Sequence, residues 1–214
     1  MSPDLAALLR GGAARLGLAL PEESVAPLLR HVELLLKWNR TINLTAITDP
    51  AEVVEKHVLD SLALAPLLPA GRLLDAGTGG GFPGVPVRLV RADVEVTLVD
   101  SVGKKVAFLK NLLADLRLSG ATARALRMGG APAAEGLTGF DAAVCRAFST
   151  PEQWLPLAAH YLRPGGRAFC MAGPRDVFPD RLAGLQRVSL VDYELPVSRA
   201  QRRIAAYQLE PGSA

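Results

Sequence analysis

A glycine-rich turn between an apolar run and a helix most restricts what this chain can fold into. Leu73-Leu74-Asp75-Ala76 leads into Gly77-Thr78-Gly79-Gly80-Gly81-Phe82-Pro83-Gly84, and Val85 to Val90 follows as a helix. Bare backbone at such a turn lets a ligand approach closely. A phosphate loop of the Walker type requires Gly-Lys-Ser/Thr at its end, and here Gly84 is followed by Val85, so that reading fails.

Two acids bracket the turn. Val94, Val96, Leu98 and Val99 form a second strand ending at Asp100, 19 residues on from Gly81. A carboxylate at that spacing is placed to accept both ribose hydroxyls of a nucleoside cofactor. Asp75, just before the turn, would repel a pyrophosphate but could hold an ammonium group through ordered water. Phe82-Pro83 also fills the helix start that a dinucleotide fingerprint needs. Both features favour S-adenosylmethionine over a nicotinamide dinucleotide, and an oxidoreductase is the disfavoured reading.

From Gly71 onwards, short apolar runs alternate with helical stretches. Lys104 to Leu116 is a strong helix, Thr122 to Arg127 a weak strand and Phe140 to Val144 a better one. A helix over Pro151 to Leu162 precedes the Pro164-Gly165-Gly166 turn and a strand over Arg167 to Met171. This alternation predicts an α/β fold with a mainly parallel sheet covered on both faces. Val188 to Leu195 and Ile204 to Leu209, with no helix between them, predict an antiparallel hairpin at the C-terminal edge. Gly129 to Ala134 reads as a small-residue loop.

The N-terminal part reads as helical. Leu28, Leu29, Val32, Leu35 and Leu36 recur at three- and four-residue spacing, and a second stripe starts at Asp49-Pro50 as N-cap and first helical residue. Pro66 and Pro69 mark a boundary, which divides the chain into a helical cap, residues 1–66, and a nucleoside-binding domain, residues 67–214.

Composition excludes more than it selects. A chain of 214 residues, 50% hydrophobic and 21% charged, has enough apolar content to bury a core and is not a disordered polymer. Cys145 and Cys170 are its two cysteines, too few for a disulfide framework and not spaced for zinc, so no metal is expected. No apolar run is long enough to span a bilayer and the first residues do not read as a secretion signal. The expectation is a soluble cytoplasmic protein, acting as a monomer, with no membrane partner. The net charge is only +3, but 19 of the 24 cations are Arg. Arg suits bidentate phosphate contacts, although coding bias accounts for enriched Arg, Ala, Gly and Pro together. Arg199, Arg202 and Arg203 form the densest late basic cluster, with RNA backbone contact and simple solubility left open.

Several motifs occur together in order: Trp38-Asn39, Asn43-Leu44-Thr45, His57, Asp60-Ser61-Leu62, the Gly77–Gly84 turn, Leu98-Val99-Asp100-Ser101 with Gly103-Lys104-Lys105, and Arg146-Ala147-Phe148. In this combination the chain resembles the RsmG family, also called GidB, bacterial 16S rRNA guanine-N7 methyltransferases. The resemblance runs from about residue 37 to residue 170. It implies a class I methyltransferase fold with a helical N-terminal cap, using S-adenosylmethionine to methylate guanine 527 of 16S rRNA, free or in the small ribosomal subunit.

By that resemblance Gly77 and Phe82, within a turn that includes Gly79, bind the cofactor, as does Arg146 after the fourth strand. Met128 and Gly129 stand at the adenine position, and the resemblance puts Glu where this chain has Gly129. It also puts Lys where this chain has Ala172. The cofactor set is therefore Asp75, Gly77, Gly79, Phe82, Asp100, Met128, Gly129 and Arg146, and the RNA set Arg146, Arg199, Arg202 and Arg203. No residue is assigned as an acid or base, because guanine N7 carries a lone pair and no proton. The departures at Gly129 and Ala172 support a second reading, a cofactor-binding, ribosome-associated module with weak or no turnover. His57, Asn39, Asn43, Asp60 and Trp38 are expected to pack or cross-link the cap.

Overall fold

Gly71 marks the change from helix to sheet that the sequence leads one to expect. The computed structural model describes residues 4–146 and 149–210, so Ala147 and Phe148 of the Arg146 motif lie outside the described residues. The strands are β1 (Gly71–Ala76), β2 (Val94–Asp100), β3 (Ala121–Ala125), β4 (Phe140–Arg146), β5 (Leu162–Ala172), β6 (Arg181–Leu182), β7 (Leu185–Glu194) and β8 (Gln201–Leu209). They form one sheet in the order β3-β2-β1-β4-β5-β8-β7-β6. The first five run parallel, β8 joins β5 antiparallel, and β7 pairs antiparallel with β8. The apolar strands β1 and β4 lie at the centre and are buried on both faces, as a parallel sheet covered by helices demands.

Order reverses at β1, because the chain moves outward to β2 and β3 and then returns to β4 on the other side. In an open α/β sheet the crevice beyond the strand ends at such a reversal is where ligands bind. The Gly-rich turn lies there, between β1 and helix α5 (Gly84–Val90).

Two helices, α1 (Leu5–Arg15) and α2 (Glu22–Asn39), precede α3 (Pro50–Val53) and α4 (Asp60–Leu62). Asp4 and Asp49 cap α1 and α3 through their carboxylates. The second expected cap stripe is not one regular helix: Val54–Leu59 is a π-helical turn between α3 and α4. Such turns are frequent at functional sites. One apolar cluster runs from Leu9, Leu28 and Leu35 through Val58 and Phe82 to Val96, Phe108 and Ile204, so these helices share their core with the sheet.

Helix α6 (Gly103–Asp115) turns Val106, Leu109 and Leu112 inward, as the periodicity predicts. Helix α8 (Pro151–Ala159) ends before Leu162, which already begins β5, and the Pro164-Gly165-Gly166 turn is absorbed into β5 where the register with β4 shifts. The expected loop over Gly129 to Ala134 instead enters a short helix, α7 (Pro132–Glu135), started by Pro at N1 and stopped by Gly136 in the left-handed region.

Candidate active site

A cavity of about 690 Å³ opens at the ends of β1 and β2, lined by Gly77, Asp100, Lys105, Met128, Ser149 and Leu157 among others. Asp100 is held in place by backbone donors: Gly79 N–H to Oδ2 at 3.1 Å and Val102 N–H to Oδ1 at 2.9 Å. Each oxygen keeps acceptor capacity for a further donor. Ser149 Oγ is buried and has no partner among the described residues. A buried hydroxyl without a partner is a rarity that a bound polar group would relieve.

Behind the cavity the turn is braced from within. Asp75 is fully buried, and its Oδ2 accepts from Thr78 Oγ1 at 2.7 Å and from Gly84 N–H at 2.8 Å. It therefore closes the turn on itself, while Oδ1 has no partner among the described residues. Burial pushes the Asp75 carboxyl up to about 6, against the lowering effect of those two donors. Gly77, Gly79 and Gly81 have φ of +67°, +56° and +89°, a region that side-chain-bearing residues enter at a cost. Phe82 is buried beneath the turn and lines neither cavity. His31 stacks on it with centroids 4.4 Å apart, and His57 lies 5.0 Å away on a tilted plane.

His31 fastens α2 to the turn. Its Nε2–H donates to the Gly80 carbonyl at 2.7 Å, which fixes the tautomer because a carbonyl only accepts. Burial pushes His31 down to about 4, and burial together with the neighbouring Arg146 charge pushes His57 down to about 3. Both rings are neutral at pH 7 and neither is poised as an acid or base.

A second cavity, of about 490 Å³, lies between the π-turn and the ends of β4 and β5. It shares Ser149 with the first. Lys56, His57, Asp60, Arg146, Asp176, Tyr193 and Arg202 give it its charged and polar lining, with Ser149. Arg146 donates to Asp60 Oδ2 at 3.1 Å, to the Lys56 carbonyl at 3.2 Å and to His57 Nδ1 at 3.3 Å, with its guanidinium 5.3 Å from the Phe82 ring centre. Tyr193 O–H donates to Asp60 Oδ1 at 2.8 Å, and Arg202 Nε lies 3.5 Å from the same oxygen. Burial and the Asp60 charge both raise the Tyr193 phenol, which stays protonated. Glu55, one residue before Lys56, accepts from Val197 N–H and Ser198 N–H and ties the hairpin loop to the same π-turn.

The cofactor residues read from the sequence thus fall into four positions. Gly77, Asp100 and Met128 meet around the first cavity, and Arg146 lines the second. Asp75, Gly79 and Phe82 shape the turn from inside. Gly129 stands outside both cavities, and its N–H is taken by Glu135 Oε1 at 2.9 Å. That carboxylate also accepts from Tyr161 O–H, and its hydrogen bonds from Tyr161, Gly129 and Ala131 hold it below the usual carboxylate range against a raising effect of burial.

The late arginines do not form one patch. Tyr193 pairs with Arg202 and Asp192 with Arg203 along β7 and β8, and alternation sends Arg202 and Arg203 to opposite faces. Arg202 faces the second cavity, Arg203 pairs with Asp192 at 2.6 Å, and Arg199 pairs with Glu194 at 2.7 Å. Asn39, Trp38 and Asp60 are cross-links: Asn39 Oδ1 accepts from Leu44 N–H and Thr45 N–H, and Trp38 packs edge-on against Phe108.

His31 and Glu55 were not singled out by sequence reasoning. His31 stands three residues after Leu28 and four before Leu35, on the buried stripe of α2, which is a legible signal. Glu55 gives no such signal, because its partners are more than 140 residues away. Among the described residues no group of His, Cys, Asp and Glu could hold a metal, and no helix is long and apolar enough to cross a membrane.

Solved structures share the fold. A predicted O-methyltransferase of Agrobacterium tumefaciens superposes with a TM-score of 0.55 at 20% identity, covering 71% of this chain and 78% of that one. The structure of MtNAS in complex with MTA and tNA superposes with a TM-score of 0.58 at 13% identity, covering 87% and 71%. The fold is that of class I methyltransferases. The sequence is 48% identical to the ribosomal RNA small subunit methyltransferase G of Anaeromyxobacter sp. (strain Fw109-5), over 97% of this chain and 99% of that protein. The protein of the same name from Myxococcus xanthus is 43% identical over 94% and 96%. With the GidB family model, rRNA small subunit methyltransferase G, matching residues 24–193 as well, the chain belongs to the GidB family.

Proposed function

We propose that this protein transfers a methyl group from S-adenosylmethionine to N7 of a guanine in 16S rRNA, guanine 527 by family resemblance. The observation that carries the reading is a pair of adjoining cavities that meet at Ser149, at the sheet's order reversal. One offers a carboxylate and open glycine backbone, the other three cations.

The first cavity suits the cofactor. Asp100 would accept from the ribose hydroxyls, Gly77 leaves backbone open, Met128 flanks the adenine, and Ser149 Oγ, without a partner among the described residues, would gain one. When bound, S-adenosylmethionine supplies an electrophilic methyl group on a sulfonium. The chain's task is positioning, because N7 has no proton to lose. Holding reactants close and aligned is worth about 7–11 kcal/mol in favourable cases. Neutral His31 and His57 agree with chemistry that needs no general base.

N7 faces the deep, narrow major groove of an A-form helix, which side chains do not reach, so the target base must come from an unpaired segment. The second cavity is where such a base would enter, splayed out of its stack. Residues 1–66 then act as a cap over the sheet domain of residues 67–214. Cytoplasmic location and action as a monomer complete the reading, the buried free thiols of Cys145 and Cys170 suiting a reducing compartment.

Incubation with methyl-labelled cofactor and small ribosomal subunits lacking the modification, followed by nucleoside analysis, tests the proposal. Label in 7-methylguanosine at one site of 16S rRNA is the expected result. Label in another nucleoside, or none with subunits or with free 16S rRNA, overturns it.

A further inference from the structure

Guanine differs from adenine on its Watson–Crick edge, where N1–H and N2–H₂ donate and O6 accepts. An enzyme that methylates N7 must leave that nitrogen unbonded. Reading by an arginine fork on O6 and N7, the common contact to guanine, is therefore closed to it. Selection must come from an acceptor that meets the two donors, and a carboxylate can pair both.

Two carboxylates line the second cavity, Asp60 and Asp176. Asp60 is spent: Oδ2 accepts from Arg146, while Oδ1 accepts from Tyr193 and faces Arg202. Asp176 lies four residues after the end of β5, in the stretch that lines the cavity with Gly173. Its Oδ2 accepts from Gly173 N–H at 2.8 Å, and among the described residues neither oxygen has a cationic partner. One hydrogen bond holds the side chain, and among the described residues Oδ1 has no donor. Cations that could meet O6, Lys56 and Arg202, line the same cavity.

We infer that Asp176 is the guanine-reading residue, accepting N1–H and N2–H₂ of the target base. The inference rests on the proposed function and names the group that gives it base selectivity.

Small subunits reconstituted with 16S rRNA carrying guanosine or inosine at the target position give the test, since inosine keeps N1–H and N7 but lacks N2–H₂. The wild-type protein is expected to prefer guanosine by about 10- to 100-fold in kcat/KM, the worth of a hydrogen bond to a charged group. Asp176→Ala and Asp176→Asn are each expected to lose rate on guanosine RNA and to shrink that ratio towards one. A variant that slows both RNAs equally, keeping the ratio, shows that Asp176 only anchors Gly173 and overturns the inference. A wild-type ratio near one overturns it as well. Failure of the wild-type protein on both RNAs is a separate result and counts against the proposed function. Cofactor binding by both variants, measured by calorimetry, is expected to match wild type, because Asp176 is not part of the first cavity.

Discussion

Arg146 and Asp60, 86 residues apart in sequence, meet at 3.1 Å where the N-terminal helices press on the end of β4. Both side chains are largely withdrawn from solvent, at 16% and 6% exposure. Two further guanidinium donors go to the Lys56 carbonyl and His57, and the carboxylate takes Tyr193 from the hairpin. One ion pair thus joins helix, sheet and hairpin at the wall of the second cavity.

Removing one member of a buried pair strands the other. Arg146→Ala should lower stability by about 3 kcal/mol, since the uncompensated carboxylate stays buried. Arg146→Lys should recover only part, because an ammonium lacks the planar fork that reaches three acceptors. Urea unfolding of the three proteins checks this, and an Arg146→Ala variant as stable as wild type would refute it.

Gly84 is packed against the strand behind it. A Cβ there would stand 2.7 Å from Asp75 Oδ2 and 2.9 Å from Val96 Cγ1, and would overlap the Leu98 side chain. These neighbours belong to the turn brace and the sheet core, so Gly84→Ala should cost roughly 1–3 kcal/mol by overpacking. It should also weaken cofactor binding, because the Asp75 bond to the Gly84 N–H is what closes the turn. Thermal unfolding and calorimetry are the measurements, and Gly103→Ala, where a Cβ meets nothing within 4 Å, is the control.

Stability should fall on acidification from pH 7 towards pH 4. His31 folds with its pKa lowered from 6.5 to about 4, so its contribution is complete above 6.5 and is lost as pH falls towards the folded value. His57, lowered to about 3, acts in the same direction. Asp75 opposes them: its pKa is raised from 3.8 to about 6, so its contribution is complete below 3.8 and lost as pH rises through 6. Two histidines against one aspartate make the net change a loss. Melting temperatures across this range should show it, and His31→Phe, which keeps the stack on Phe82, should flatten the slope.

The two faces of β8 should separate in RNA binding. Arg202→Glu places a negative charge at the second cavity and should weaken binding to 16S rRNA and reduce its salt dependence, as loss of one phosphate contact does. Arg203→Glu, on the other face, should leave both nearly unchanged. Equal effects from the two reversals would show that the cluster acts as one diffuse patch.

Much of the first cavity was legible because its parts are local. The Gly77–Gly84 turn, the strand ending at Asp100 and the helix between them lie within about thirty residues, and each obeys short-range rules of backbone freedom and apolar period. The same rules misjudged Gly129–Ala134, where Pro132 opens a helical turn that brings Glu135 onto the Gly129 N–H. Asp75 and Phe82 were picked out by position, but burial turns both into supports for the backbone that faces the cavity.

The sequence by itself determined the α/β alternation, the parallel core, the edge hairpin and the acid-flanked turn, because residues near each other in the chain encode them. Only the tertiary structure decided which charges face the second cavity. The π-turn swings Lys56, His57 and Asp60 towards Arg146, and the register of β7 and β8 sends Arg202 inward while Arg203 faces away. Side-chain direction in a strand has a period of two, and only the paired neighbours show which face meets the cavity. Burial then selects partners over distances that local pattern does not register, and only the fold brings Asp176, whose Oδ1 has no donor among the described residues, to the same cavity as Asp60 and Arg146.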